Sequence, residues 1–557
     1  MRPLLCFGLL HACTAPTDPD KAATADSAAS ADSDSARPDS GHTGETDAHT
    51  GETGETAETA DTGETGAPGP DCALSTSDDT HIDEGELLDV GFLCGGALRE
   101  DLELTLTGIP TGAAWDPNTW SLTWVPGLGD AGRFTVHLSA SNGATLDQDL
   151  WVSDAFFLDD NEPVDPETYT LEDGLPVFHL DVAGSINNTY DTPATLVYRG
   201  HTYRIEAQYR GASSYYYPQK SFTLKFDEDD KFDDDDFGWG KAEDLILLTT
   251  FDDNSYLRNA LTYWLWGELD PDNMTPRTFP AVLYLEGEFW GVYQVIERVD
   301  EEFYEHRGLS HYGDMYMGID HNANFYATNV YGSAKSTLYD GYEKRIGHPE
   351  DGEDGAYDPV AALVEWAATS TDGEFRSELD DVLVADEIYD WFILVTFAGG
   401  WDSGGKNQLI YHDPESDGPW RFVPWDFNAS WGQQWETSRV TAETWDDFTW
   451  TNNLFYRSLN DTLLAHALWS RYRAALEGPL RPEVLTAQID AWHADLEPAA
   501  ARSWRLWESQ YHSYSGWASS RAAAGDFTTP DEEFLYLSAW VEARWSAADA
   551  EVAAAGF

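Results

Sequence analysis

Positive charge is scarce in this chain. Lys and Arg together number 31 against 101 Asp and Glu, leaving a formal net charge of −70 over 557 residues. A surface of that sign repels phosphate backbones and anionic bilayers, which argues against nucleic acid as a partner. It favours basic proteins, or divalent cations held between carboxylates. Cysteine is sparse as well, with only Cys6, Cys13, Cys72 and Cys94. No CxxC pair and no paired-His spacing occurs, so nothing in the sequence resembles a zinc site. Beyond the leader no run reaches the roughly 20 apolar residues that a membrane span needs.

The start of the chain has the order of an export signal. Arg2 precedes the apolar stretch Leu4-Leu5-Cys6-Phe7-Gly8-Leu9-Leu10, and charge before apolar core is the pattern of a leader. Leu10-His11-Ala12-Cys13 resembles a bacterial lipoprotein box with Cys13 as the acylated residue. Residues 1–13 are therefore expected to be a signal peptide, and the protein to be exported and lipid-anchored at the bacterial envelope or cell surface. Acylation would tether it without a crossing helix; a plain secretory signal is the alternative. Residues 14–71 are mostly Ala, Asp, Ser, Thr, Glu and Gly, with repeats such as Thr50-Gly51-Glu52-Thr53-Gly54-Glu55-Thr56. Such a segment has almost nothing to bury and repels itself, so it reads as a disordered stalk.

From 72 to 156 short alternating strands run between Gly, Pro and Asn turns, as in Leu102-Glu103-Leu104-Thr105-Leu106 and Arg133-Phe134-Thr135-Val136-His137-Leu138. Period-two alternation predicts a small all-β domain with one apolar face per sheet. Cys72 and Cys94 flank its start, a spacing compatible with a disulfide in an exported protein. The stretch Gly108-Ile109-Pro110-Thr111-Gly112-Ala113-Ala114-Trp115-Asp116, followed by Leu122-Thr123-Trp124-Val125-Pro126-Gly127, resembles immunoglobulin-like (cadherin-like) repeats of bacterial surface proteins. That resemblance implies a β-sandwich spacer or adhesion module with no catalytic residues.

Residues 157–557 read as mixed α/β (α+β) and rich in aromatics. Strands are expected at 177–182 and 204–209. The turn Arg210-Gly211-Ala212-Ser213-Ser214 then leads to a strand starting Pro218-Gln219-Lys220-Ser221. Small residues followed by a Lys on a strand can cradle phosphates, although a hairpin with surface lysines fits the same pattern. A helix over 254–269, a strand pair at 281–285 and 291–296, and a helix over 386–398 follow. The last helix delivers the chain to Trp401-Asp402-Ser403-Gly404-Gly405-Lys406-Asn407, and a hairpin then leads to Pro424-Trp425-Asp426-Phe427-Asn428. An Asp, an Asn five residues later and a second Asp after the next hairpin is the order that phosphoryl transfer uses in kinases. One Asp accepts the hydroxyl proton while Asn and the later Asp hold metal ions on ATP. The acidic run 227–236 reads as a solvated loop, and the many tryptophans as fillers of core and grooves.

These pieces together resemble the spore coat protein H (CotH) kinase family of atypical protein kinases. They are Arg210-Gly211 with Ser213-Ser214, Pro218 with Lys220-Ser221, Leu257-Arg258-Asn259, Gly291-Val292-Tyr293 with Glu297, Asp402 with Asn407, and Trp425-Asp426 with Gly432. The resemblance implies ATP- and divalent-metal-dependent phosphorylation of protein Ser or Thr, with Mg²⁺ or Mn²⁺. By position, Asp402 would be the catalytic base. Lys220, Arg210, Gly211, Ser213, Ser214 and Glu297 would line the nucleotide site, Glu297 with an alternative structural role. Asn407, Asp426 and Asn428 would hold the metal. The family often has a second Asp where this chain has Asn428, and an amide oxygen ligates a hard cation more weakly than a carboxylate. No Glu on the 254–269 helix is an evident partner for Lys220. ATP is scarce outside the cytoplasm, so a surface-displayed binding or adhesion protein built on a pseudokinase fold stands as the alternative. A calcium-dependent carbohydrate-binding surface protein is a third reading, resting only on acids and aromatics.

Overall fold

The computed structural model describes residues 72–557 except 77–79, 84, 100–101, 128–131, 154–163, 235–237, 417 and 526. The leader with Cys6 and Cys13, the acid-rich stretch up to residue 71 and the boundary expected at 156–157 lie outside the described residues. The described chain is α+β and multidomain, with several separate sheets and ten α-helices among the described residues.

Eight strands open it: β1 (Leu74–Thr76), β2 (His81–Asp83), β3 (Leu88–Cys94), β4 (Leu104–Thr107), β5 (Ala114–Asp116), β6 (Ser121–Trp124), β7 (Gly132–Ala140) and β8 (Thr145–Ser153). They form two four-stranded sheets, ordered β1-β3-β6-β5 and β2-β8-β7-β4. Along β3 the residues Leu88, Val90, Phe92 and Cys94 are buried and those between them are not, as period two requires of a half-buried strand. They join Leu122 and Trp124 of the same sheet and Leu106, Val136, Leu138 and Leu150 of the other in one core. Cys72 and Cys94 form a disulfide with Cα atoms 5.4 Å apart, fastening the residues before β1 to the end of β3.

The next strands are β9 (Leu171–Glu172), β10 (Leu175–Val182), β11 (Thr192–Tyr198), β12 (His201–Arg210), β13 (Ser221–Phe226), β14 (Phe232–Asp234), β15 (Trp239–Ala242), β16 (Asp244–Thr249), β17 (Thr278–Leu285) and β18 (Glu288–Glu297). Seven of them are ordered β11-β12-β13-β16-β18-β17-β10, and β10 pairs back onto β11, so the sheet closes on itself. Only β10 with β17 runs parallel in this ring. The strand periodicity carries no sign of closure, because β10 reads only as a strand of mostly apolar residues. Its first six residues, His179 included, are buried, and it is hydrogen-bonded on both sides. Phe178, Leu180, Phe222, Leu224, Leu245, Leu247, Ala281 and Val295 fill the inside. Their neighbours one residue along face outward, Ile246 and Ile296 into one external core and Val177, Val282 and Val292 into another. A closed ring removes sheet edges and burial on both faces fixes its register.

A second sheet, ordered β20-β19-β21-β22, uses β19 (Asp314–Gly318), β20 (Tyr342–Ile346), β21 (Gln408–His412) and β22 (Arg421–Pro424). Met315, Ile346, Leu409, Val423 and Trp425 pack it against Ile246 and Ile296 of the barrel. The helix Ala385–Ala398 runs beneath it with every residue but Asp386 buried, and stops at Gly399 in the left-handed conformation. The acidic run 227–236 is only partly a solvated loop: Asp234 in β14 is buried, accepting a hydrogen bond from Tyr198 and pairing with Arg199.

The helix expected from residue 254 begins at Arg258 and ends at Leu269. Asp253 Oδ1 accepts from Ser255 N (3.0 Å) and Oγ (2.6 Å), and Tyr256 has a φ of 58°. This side-chain turn competes with the helix and delays its start. Arg258 then lies wholly buried. Its guanidinium meets Asp253 Oδ1 and Glu533 Oε1, each at 2.5 Å, and its Nε donates to Ser430 O at 3.1 Å. Arg439 also binds Glu533, at 2.6 and 2.5 Å. Burial by itself would raise the Glu533 carboxyl, but the charges of Arg258 and Arg439 hold it far below the usual range.

Removing Arg258 strands two buried carboxylates, so Arg258→Met is expected to lower unfolding stability by about 3–5 kcal/mol at pH 7, read from urea denaturation. Glu533→Gln should show a matching pH signature. A carboxyl depressed on folding adds stability above its ordinary value of 4.5 and loses it as the pH falls below that. The gap between parent and Glu533→Gln should therefore narrow progressively below pH 4.5; a constant gap would contradict the assignment.

Candidate functional site

Strand register decides the geometry of the site. In the β21–β22 pair Gln408 stands opposite Pro424, so Asn407 just before β21 and Asp426 just after β22 leave the sheet at the same end. The amide of Trp425 donates to Asn407 O at 3.2 Å. Asn407 and Asp426 both take left-handed backbone, with φ of 53° and 57°. Asn and Asp tolerate this region best after glycine, and two such residues side by side mark a constrained turn of the kind found at functional sites.

Asp402 lies beyond the cap of the Ala385–Ala398 helix and is drawn to the same place. Asn407 Nδ2 is 3.2 Å from Asp402 O, 3.3 Å from its Oδ2 and 3.4 Å from Asp426 O. Lys406 Nζ sits 2.8 Å from Asp402 Oδ2, and His321 Nε2 3.4 Å from Oδ1. Burial pushes the Asp402 carboxyl up, yet the His321 hydrogen bond and the Lys406 charge outweigh it and leave it below the usual range. The glycines of this loop are required by close approach. A Cβ on Gly405 would run into Thr451, and one on Gly404 would come within 2.9 Å of both Thr451 and Phe448. Asn452 Nδ2 further pins Gly404 O at 2.9 Å.

Asp426 is open to solvent, but the protein around its carboxyl and then the Asp402 charge push it above the usual range, with Lys406 and Arg210 pulling the other way. Arg210, the last residue of β12, has its guanidinium 5.6 Å from the Trp425 ring centre. Burial brings it down to about 10, and the Asp426 charge opposes that fall.

The turn after Asp426 is held from below by the helix Arg258–Leu269. Asn259 Oδ1 accepts from Phe427 N at 2.7 Å, Arg258 holds Ser430 O, and Thr262 Oγ1 accepts from Trp431 Nε1 at 2.9 Å. The Leu257-Arg258-Asn259 motif is thus a support for the turn. Asn428 Nδ2 donates to Asp252 Oδ2 at 2.5 Å, and Tyr217 donates its hydroxyl to the same oxygen at 3.1 Å. Asp252 is buried, and burial, with Asp253 and Asp426 nearby, raises it to about 6 against these hydrogen bonds.

The remaining predicted residues fall on two other places. Gly211 has a φ of 100°, and a Cβ there would collide with Ser214 Oγ. Ser213 is exposed, and Ser214–Tyr216 makes one 3₁₀ turn between β12 and β13. Lys220 donates from Nζ to Tyr215 O and lies 5.1 Å from the Tyr215 ring centre; burial lowers its pKa. Lys220 and the 211–217 loop therefore form one unit on the hairpin that also presents Arg210. Glu297 stands apart at the end of β18. Its carboxylate meets Arg307 NH2 at 2.8 Å and Arg277 N at 3.0 Å, with Arg277 NH1 at 3.8 Å.

Asp402, Asn407, Asp426 and Asn428 are brought together at one end of the second sheet, with Arg210 facing them. Asp252 and His321 join this cluster without having been anticipated. Asp252 carried a weak signal, an acidic pair just ahead of the Arg258-Asn259 motif; His321 carried none. Two carboxylates and two amides supply oxygen donors of the kind hard divalent cations take. Asp426 is raised by the protein around it and then by the Asp402 charge, and a bound cation would relieve both.

An α+β protein with a carboxylate and amide cluster beside a glycine-bearing loop is the class that this geometry defines. The sequence model of the CotH kinase protein family matches residues 207–547, more than half the chain and including every residue of the cluster. The chain belongs to that family. It is similar to the inner spore coat protein H of Bacillus subtilis (strain 168), 26% identical over 252 residues. That match covers 45% of this chain and 65% of the relative, so the chain spans just under two thirds of that relative's length. Among solved structures, an endo-fucoidan hydrolase, MfFcnA4 from glycoside hydrolase family 107, aligns over 30% of this chain and 28% of its own at 16% identity. The TM-score of 0.13 gives that likeness no weight.

Asn428→Asp would set a second carboxylate against Asp252. The variant is expected to lose about 1–3 kcal/mol of stability at pH 7.5, and to recover most of it at pH 5, below the value of about 6 for Asp252. Thermal melts at both pH values check this; an equal loss at both would refute the contact.

Proposed function

We propose that this protein is a kinase that transfers the γ-phosphoryl group of ATP to a Ser or Thr hydroxyl of a protein, with Mg²⁺ or Mn²⁺ as cofactor. The observation that carries the reading is the convergence of Asp402, Asn407 and Asp426 at one end of the second sheet, reached through two left-handed residues and a glycine loop with no room for side chains. Family membership supports a kinase-like reading in general terms. Within the proposal Asp426, Asn407 and Asn428 hold the metal, which would offset charge on the transferring group.

Asp402 is the base. Its depressed pKa keeps it ionised at neutral pH, and Lys406 and His321 fix its orientation. As the hydroxyl oxygen bonds to the γ-phosphorus, the bond to the β–γ bridging oxygen breaks. ADP leaves with that electron pair, and the hydroxyl proton passes to Asp402. Arg210 supplies positive charge opposite Asp426. The 211–217 loop and Lys220 receive the phosphates, with Lys220 leaving Tyr215 O to do so. Glu297 acts at a distance by anchoring the end of β18. The −70 charge favours a basic protein substrate over nucleic acid.

The remaining elements fit an exported, surface-associated protein: a lipid anchor at Cys13, an acidic stalk, and the two-sheet unit as an immunoglobulin-like spacer ahead of an atypical kinase-like domain. The spore coat relative supports surface association in this coarse sense. A second reading, a surface binding protein on a pseudokinase fold, is favoured by two observations. Asn428 stands where a second carboxylate would strengthen metal binding, and Lys220 is hydrogen-bonded to a loop carbonyl.

The test is phosphate incorporation from labelled ATP, with Mg²⁺ and with Mn²⁺, into the protein itself and a basic generic substrate. Transfer by the parent chain that falls at least 100-fold in both Asp402→Ala and Asp426→Ala is the expected result. A nucleotide-dependent thermal shift without transfer would favour the pseudokinase reading. Neither shift nor transfer would favour surface binding alone.

A further inference from the structure

The long helix Pro482–Ser513 and the last helix Pro530–Ala554 carry a second cluster of ligating side chains, away from the residues proposed for nucleotide and metal. His493 and Glu497 are four residues apart on the first helix, so they share one face. Asp531 opens the second helix. His493 Nε2 is 3.4 Å from Asp531 Oδ1 and 4.0 Å from Glu497 Oε2, and one ligand atom from each of the three lies within 4.8 Å of the others.

We propose that His493, Glu497 and Asp531 form a binding site for a zinc-class divalent ion that clamps these two helices together. Zinc bonds of about 2.1 Å in a tetrahedron set donor atoms about 3.4 Å apart. The His493–Asp531 separation already has that value, and small rotations of Glu497 bring in the third donor. One imidazole nitrogen with two carboxylates is a donor set for zinc or cobalt, whereas magnesium and calcium take oxygen. The imidazole is also held in place: its ring stacks on Phe534, with centroids 3.9 Å apart and planes 29° apart. Phe534 follows Asp531 by three residues, so the second helix supplies both a donor and the platform that orients the other helix's imidazole. Such outer support is what keeps a metal-binding histidine in a productive orientation. Glu497 is buried, His493 part-buried and Asp531 part-exposed, leaving an approach from solvent and a fourth position for water.

The sequence hid this site because its spacing is His-x₃-Glu with a distant Asp, outside the paired His and Cys patterns. Its place in the fold links it to the rest. Two residues beyond Asp531 is Glu533, which binds Arg258 and through it the turn carrying Ser430. An ion on Asp531 would thus fasten the start of the helix that orients this buried network.

The experiment titrates the full-length protein, stripped with chelator, with Co²⁺ and with Zn²⁺. Co²⁺ is expected to give the ligand-field absorption of a four-coordinate site containing nitrogen, at one equivalent, displaced by Zn²⁺. Asp426→Ala should keep that signal. His493→Gln and Asp531→Asn should each weaken binding at least tenfold and abolish the Zn²⁺-dependent rise in Tm while melting normally without metal. The first 71 residues also carry Cys6, Cys13, His11, His42 and His49, and a signal from these is told apart because it would persist in His493→Gln and Asp531→Asn. The proposal is overturned if the four-coordinate signal never appears, or if it survives both His493→Gln and Asp531→Asn.

Discussion

A single guanidinium without solvent access holds the elements around the carboxylate and amide cluster in register. Arg258 takes Asp253 with one nitrogen, Glu533 with another and the carbonyl of Ser430 with a third. Those partners come from the turn ahead of its own helix, from the last helix of the chain and from the turn that follows Asp426. Burying a charge is costly unless it is paired and hydrogen-bonded on all sides, so the three elements have one acceptable arrangement. The delay of the helix to residue 258 serves the same end. Asp253 folds back on Ser255, which turns its other oxygen onto Arg258 N at 2.9 Å.

From that fixed point the site follows by strand geometry. The antiparallel register of β21 with β22 sends Asn407 and Asp426 out together, and Asn259 clamps the turn beyond. The glycine pair at 404–405 lets the Asp402 loop lie flat on Thr451 and Phe448. Each carboxylate then finds a different environment. Asp402 has a histidine and a lysine and stays ionised; Asp426 is raised by the protein around it and then by Asp402; Asp252 is buried under an amide and is raised to about 6. Carboxylates whose environments push them apart can divide the work of proton acceptance and cation binding.

Much of this was legible in the sequence, because local patterns carry it. The hairpin at 408–424 could be read from turn chemistry, and the spacing of Asp402, Asn407 and Asp426 around it then implied that they meet. The alternation at 102–106 and 133–138 and the strand patterns of β10, β17 and β18 located strands to within a few residues. What escaped depends on contacts between distant segments. Barrel closure rests on β10 pairing with β11 as well as β17, and periodicity within a strand says nothing about its neighbours. His321 reaches Asp402 from a loop 81 positions earlier, with no motif around it. Asp234 looked solvated by composition, yet it is buried against Tyr198 and Arg199.

Lys220 shows how far an arrangement can be inferred and where it changes the argument. In kinases the phosphate-binding lysine is held by a carboxylate, whereas Lys220 donates to Tyr215 O and lies near that ring. Its partner is part of the very loop that would meet the phosphates, so loop and lysine respond as one body. Any anion entering there competes with a single neutral carbonyl rather than with a buried ion pair, and a neutral acceptor is the weaker competitor by roughly a factor of two in hydrogen-bond strength. Arg210, on the same hairpin and facing Asp426, already links this unit to the cluster at the end of the second sheet. The hairpin therefore brings Arg210 and Lys220 to the side facing Asp426, while Asp402 at the sheet end is already paired with Lys406 and His321.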